Sequence, residues 1–340
     1  MATTTTALVL NEIKGPFALS EVSVGPISDD EALVEIHATG ICHTDLSCAD
    51  GTLPAAAPAV FGHEGAGVVK QTGAGVHGVA PGDKVLLSFA SCSSCDQCNA
   101  GHPAYCYSFA PLNFGGKRAD GSSAISTVSD QQPVYSSFFG QSSFSRLAVI
   151  HKSSIVKVPS DTKLELFAPL GCGLQTGAGA ILNTLNVQPG KTVAVFGVGS
   201  VGMSAVMAAK MRGAKEIIAV DLQQGRLDLA KRLGATQTLL GNDTELLSKI
   251  QQICPPNGVN YAVDCSGVPK VVETMVECLS TRGRAATVGA PSIIPYLMEQ
   301  HAKGSYPIEE LVTFYPVNDF EQAIKDTKEG KALKAVLRWT

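Results

Sequence analysis

The sequence predicts an α/β plus β architecture. A mostly β, barrel-like half occupies residues 1–157, a doubly wound parallel sheet residues 158–295, and a short return to the first half residues 296–340. Three observations support this reading. In the first half the runs LVEIHATG, AGVVKQTG, DKVLLSF and SRLAVIHK alternate or stay apolar over strand lengths, with Gly and Pro between them and no long helical period. From Leu164 the texture changes, because ELFAPLGCGLQTGAGAIL reads as a helical segment. Beyond it, KTVAVFGVG, KEIIAVDL, VNYAVDCSG and GRAATVGA alternate with helical stretches, and parallel strands need such crossovers.

The 340 residues allow about two domains, and 45% hydrophobic against 16% charged residues is ordinary for a globular protein with a sizeable core. A formal net charge of -4 without a basic stripe argues against nucleic acid and leaves a small-molecule partner. The N-terminal MATTTTALVLNEIKG lacks a basic n-region and a long apolar run, so neither a secretory signal nor a membrane span is expected. A cytoplasmic address follows as the default. In that compartment ten cysteines point to metal rather than to disulfides.

The stretch ICHTDLSCADGTLPAAAPAVFGHEG, residues 41–65, carries a thiol at Cys42, an imidazole at His63 and a carboxylate at Glu64. Separate segments commonly supply zinc ligands in this way, although a buried Cys and a core His are the commoner reading of such residues alone. Cys92, Cys95, Cys98 and Cys106 form a C-x2-C-x2-C-x7-C lobe. Four thiolates closing a tetrahedron suit a structural zinc, with an iron–sulfur cluster as the competing occupant.

After the strand ending at Phe196 comes Gly197-Val198-Gly199-Ser200-Val201-Gly202, and Asp221 closes the next apolar strand. Within a strand–turn–helix unit this spacing is a dinucleotide signature. The glycines let backbone approach a pyrophosphate seated on the helix N-terminus, and the acid accepts from ribose hydroxyls. Asp221 favours NAD, while Arg226 nearby leaves NADP open.

From Gly62 the chain reads GHEGAGVVKQTGAGV, which fits G-H-E-x2-G-x5-G-x2-V at every fixed position. With the cysteine lobe and the nucleotide loop, the chain resembles the zinc-containing medium-chain alcohol dehydrogenases. LNFGGKRADGS and FFGQSSFS look most like their aryl (benzyl) alcohol dehydrogenase branch. The resemblance implies a GroES-like catalytic domain, a Rossmann nucleotide-binding domain, two zincs per chain, NAD and a homo-oligomer. It makes Cys42, His63 and Cys172 the catalytic zinc ligands and Cys92, Cys95, Cys98 and Cys106 the structural set. Glu64 is then a carboxylate able to tune the metal, Asp45 the partner orienting His63, and Thr44 the hydroxyl taking the alcohol proton. His43 and Lys334 fall where basic residues touch the pyrophosphate, and Thr176, Val201 and Val288 where side chains or backbone meet the nicotinamide. Position 47 is Ser, where several relatives carry a His that ends the proton relay.

One stretch departs from the pattern. After VGAP at 288–291 the chain passes directly to SIIPYLMEQ, where the family carries a longer segment with the last strand of the nucleotide sheet and the subunit-pairing edge. The shortening reads either as a true deletion or as a lost exon. The activity implied is hydride transfer between a primary aromatic or allylic alcohol and NAD. Two alternatives stand beside it, an NADPH-dependent carbonyl reductase of specialised metabolism and a catalytically impaired zinc- and nucleotide-binding relative.

Overall fold

The computed structural model describes residues 2–288 and 293–339. The chain divides into two compact units, one formed by Met1–Cys172 with Ile308–Thr340 and the other by Gly173–Pro307. Cys172 therefore ends the first unit.

In the first unit the Thr-rich strand Thr3–Leu10 pairs antiparallel with Phe17–Val24 in a five-stranded sheet. A second sheet of seven strands is organised on Glu31–Gly40. One edge of that strand takes Gly65–Thr72, while the other takes Leu147–His151 along its first half and the C-terminal Lys334–Arg338 beside its end. The predicted return of the chain end is thus a strand pairing. An isolated bridge between Ala7 and Ser145 joins the two sheets, and the inward-facing residues form a shared core that includes Leu8, Val34, Ile36, Phe61 and Ile150. The result is a nearly closed antiparallel barrel. Val312–Pro316 pairs parallel with Lys334–Arg338, to which it is linked through the helix Phe320–Lys328.

The second unit is the doubly wound sheet. Thr192–Phe196 lies at its centre, Glu216–Asp221 and Gln237–Leu240 follow on one side, and Val259–Asp264 and Leu279–Thr287 on the other, all parallel. Strands covered on both faces read as apolar runs, which is why TVAVF and EIIAVD carry no alternation. The strand order reverses beside Thr192–Phe196, so the glycine loop after Phe196 sits at the switch point where such sheets bind ligands.

Two expectations shift. The stretch VVETMVECLS reads as one helix by its pattern, but the helix stops at Glu277 and the strand of this sheet begins at Leu279, because Val259 donates its N–H to the Cys278 carbonyl and draws that residue to the sheet. The Ser- and Gly-rich segment 117–145 carries little apolar period and reads as a surface excursion, but it is exposed only in its earlier part, since Phe138, Phe139, Gly140, Gln141, Ser142, Ser143, Phe144 and Ser145 are all buried. Among the described residues the parallel sheet has five strands, and the shortened junction at 289–292 lies outside them.

Candidate active site

Helix His43–Ala49 starts where the strand Glu31–Gly40 leaves the sheet, and its first turn is fixed by Asp45. That buried carboxylate accepts from Cys42 N at 2.9 Å, from Gly62 N at 3.1 Å and from His63 Nδ1 at 2.9 Å. Three donors on one carboxylate tie the loop of Cys42 to the loop of His63. With Nδ1 turned to Asp45, Nε2 is the nitrogen left to face a metal. His63 Nε2 is buried and has no hydrogen-bond partner, which a buried polar atom seldom tolerates without an ion to bind.

Around that nitrogen one donor atom from each of Cys42, His63, Glu64 and Cys172 lies within 4.8 Å of the others. Donors bound at ~2.0–2.3 Å to one tetrahedral zinc lie ~3.3–3.8 Å apart, so the cluster matches a zinc site in both size and softness. The electrostatics agree. A hydrogen bond from Cys172 holds the Cys42 thiol well below its ordinary range. Burial raises the Glu64 carboxyl against the opposing pull of Lys334. Burial also disfavours a charged His63, yet Asp45 and Cys42 outweigh it and raise the imidazole well above its usual value. Sulfur and carboxylate crowd a dry volume that calls for positive charge.

Glu64 has a partner of its own besides this cluster. Its Oε1 takes the ammonium of Lys334 at 2.8 Å, and Lys334 Nζ also reaches the Ile41 carbonyl at 3.4 Å. The carboxylate lies over Gly40, where an added Cβ would come 1.9 Å from Oε2, so any side chain there would displace it. Lys334, expected against a pyrophosphate, is buried on this carboxylate because its strand pairs with the end of Glu31–Gly40. His43 is exposed, and Thr44 stands beside the metal ligands with its hydroxyl 3.8 Å from Cys42 Sγ. Ser47 is buried.

Aromatic rings line the same place. Phe139 stacks on His63 with centroids 4.5 Å apart and 24° between planes, and Phe138 meets the imidazole edge-on at 5.5 Å. Phe109 and Phe114, from the helix Phe109–Phe114, pack against Phe139. Phe139 adopts φ 52°, a left-handed conformation that bulky residues avoid and that surrounding packing must impose.

The four cysteines of the lobe likewise place their sulfurs within 4.8 Å of one another, with Cys95 to Cys98 at 3.6 Å and Cys92 to Cys98 at 3.9 Å. Amides of Cys92 and Cys95 donate to the sulfurs of Cys106 and Cys92, both at 3.3 Å. Backbone donation from Ser94 leads the effects that lower the Cys92 thiol to about 5. The two clusters are the catalytic and structural zinc sites, and all ten cysteines are free of disulfides.

In the second unit Asp221 Oδ2 accepts from Val198 N at 2.8 Å and Oδ1 from Gln223 N at 3.0 Å. The acid is thereby pinned to the glycine loop. Gly202 lies in the first turn of Ser200–Met211, where a Cβ would fall 2.0 Å from the Gly197 carbonyl, so the helix can start this close to the strand only with glycine. Gly199 caps that helix, and Val201 is half-buried in its first turn. Arg226 lies 3.8 Å from Asp221, Thr176 is half-buried on Gly173–Gly179, and Val288 follows the last strand.

Residues 28–160 match the alcohol dehydrogenase GroES-like domain, and residues 200–328 match the zinc-binding dehydrogenase family. Geraniol dehydrogenase of Castellaniella defragrans is 37% identical over 363 positions, covering 97% of this chain and 96% of that protein. The alignment is longer than the 340 residues of this chain, so that relative carries sequence this one lacks. The crystal structure of an alcohol dehydrogenase zinc-binding domain protein from Burkholderia ambifaria superposes with a TM-score of 0.96 at 40% identity, covering 100% of both chains. Benzyl alcohol dehydrogenase from Acinetobacter calcoaceticus gives 0.94 at 37% identity, covering 99% of this chain and 100% of that one. The chain belongs to the zinc-binding medium-chain dehydrogenase/reductase family.

Proposed function

We propose that this chain is an NAD-dependent alcohol dehydrogenase that oxidises primary aromatic or allylic alcohols and reduces the matching aldehydes. The observation that carries it is the orphaned, buried Nε2 of His63, set among two cysteine sulfurs and a carboxylate and walled by Phe138 and Phe139. Its relatives named for geraniol and for benzyl alcohol support the substrate class.

Cys42, His63 and Cys172 would hold the catalytic zinc, which when bound acts as a Lewis acid toward the alcohol oxygen. Asp45 keeps the His63 proton on Nδ1. Thr44 accepts the proton the alcohol gives up and passes it outward, and Ser47 in place of a His leaves no imidazole at that position to receive it. The rings of Phe138, Phe139, Phe109 and Phe114 exclude water and offer flat surfaces to an aryl or allylic group. In the nucleotide domain the amides that open Ser200–Met211 would receive the pyrophosphate, and Asp221 the adenosine ribose hydroxyls. A carboxylate already fixed by two backbone amides would repel a 2′-phosphate, which favours NAD over NADP. His43, Thr176, Val201, Arg226 and Val288 complete the cofactor contacts in this reading. The catalytic role falls to the unit Met1–Cys172 with Ile308–Thr340, and the nucleotide role to Gly173–Pro307. Ten thiols free of disulfides suit the cytosol.

The test is an assay of zinc-loaded protein on benzyl alcohol and geraniol with NAD and with NADP, beside the variant Cys42→Ala. Turnover with NAD is expected in the parent alone, with NADH still quenching fluorescence in the variant. A clear preference for NADP would overturn the Asp221 argument, and two zincs without turnover on a broad alcohol panel would leave a binding protein.

A further inference from the structure

Gln141 is fully buried and makes three hydrogen bonds around Glu64. Its Nε2 donates to the His63 carbonyl at 3.0 Å and to the Ser88 carbonyl at 2.8 Å, while its Oε1 accepts from Gly65 N at 3.1 Å. Two carbonyls on one end and an N–H on the other fix the orientation of the amide. Ser88, itself buried, then donates its hydroxyl to the Gly171 carbonyl at 3.0 Å, and Gly171 directly precedes Cys172. A continuous polar path therefore joins the backbone of His63 to the backbone beside Cys172 through the side chains of Gln141 and Ser88.

We propose that Gln141 and Ser88 act together as a spacer that sets the separation of His63 from Cys172, and that Gln141 is a positioning residue for the catalytic metal. The inference rests on the reading of Cys42, His63 and Cys172 as ligands. Asp45 joins Cys42 to His63 in the same manner, but nothing in its bonds reaches Cys172, which arrives on a segment more than a hundred residues away. The path through Gln141 and Ser88 supplies that connection. A leucine or methionine of similar length at position 141 would leave the His63 and Ser88 carbonyls and the Gly65 amide without this partner in a dry interior, and the two ligand segments free to drift apart.

The experiment compares Gln141→Met, Ser88→Ala and the double variant with the zinc-loaded parent, following zinc release to a chelator. The four-cysteine site serves as the internal reference. Faster release of one zinc, by ~10-fold or more in Gln141→Met, with the other unchanged, is expected, along with an altered visible spectrum of the cobalt-substituted catalytic site. The double variant should release no faster than Gln141→Met, because the two residues act in series. Ser88→Ala removes a single oxygen and decides the matter if Gln141→Met does not fold. Unchanged release and spectrum, with only a lower melting temperature, would overturn the spacer alone. A parent holding a single zinc, all of it in the cysteine lobe, would overturn the ligand reading and the spacer with it.

Discussion

Lys334 and Glu64 form an ion pair of 2.8 Å in which both side chains are buried, 270 residues apart in sequence. The C-terminal strand thus reaches the metal loop as a charge as well as through backbone pairing. Burial works against both ions: it raises the Glu64 carboxyl and opposes the charge on Lys334, which the carboxylate outweighs so that the lysine is raised overall.

Removing one partner leaves the other charge uncompensated in a dry site. Lys334→Ala is expected to lower stability by about 3–5 kcal/mol, the usual cost of breaking a buried pair from one side. Pairing Lys334→Met with Glu64→Gln should restore much of that loss. Urea denaturation of the three proteins checks both statements, and a Lys334→Ala variant as stable as the parent would mean that Glu64 is already neutral.

The lobe around Cys92 makes a different demand. Its two short helices, Asp96–Asn99 and Pro103–Tyr105, bury no residue, so little apolar burial holds them in place. Structural zinc supplies folding free energy directly in such cases. Cys95→Ser is expected to reduce bound zinc from two to one per chain, to lower the melting temperature and to open the lobe to proteolysis. Metal analysis with limited proteolysis reads this, and an unchanged digestion pattern would show that the loop holds itself.

How far each feature could be read from sequence follows from how local it is. The cysteine lobe and the loop from Gly197 to Gly202 are contiguous, and Asp221 is separated from that loop by one helix and one strand, so spacing alone revealed them. Cys172 needed the family resemblance, because nothing local marks a lone Cys as a ligand. Gln141 was hidden inside the quoted run FFGQSSFS. A Gln among Phe and Ser carries no periodic signal, and its partners stand 78 and 53 residues away. The contact of the Lys334 ammonium with Glu64 was hidden for a similar reason, since the pairing of Val336 with Gly40 brings it there. Long-range polar contacts leave no trace in composition or period, whereas a fully buried amide or ammonium is conspicuous once the fold is known.

The same holds for the pair that anchors the loop after Lys117. Arg118 grips Glu31 with Nε to Oε1 and a terminal nitrogen to Oε2, both at 2.8 Å, and also donates to the Pro26 carbonyl. Ser28 N adds a further bond to Glu31 Oε2 at 2.8 Å. Burial of Glu31 pushes its carboxyl upward, but Arg118 and Ser28 prevail and hold it below its usual 4.5. A carboxyl lowered in the folded state contributes stability that is fully present above its unfolded value and is lost as pH falls through the folded one. Arg118→Met should therefore cost about 1.5–3 kcal/mol at pH 7, as expected for a charged hydrogen-bonded partner. The gap between variant and parent should close as pH falls below about 4.5, because only the parent has this contribution to lose. Urea midpoints of the two proteins from pH 7 downward measure the gap directly. Acid loss of metal is common to both proteins and cancels in the difference, so a gap that stayed constant through this range would remove Arg118 as the cause of the Glu31 shift.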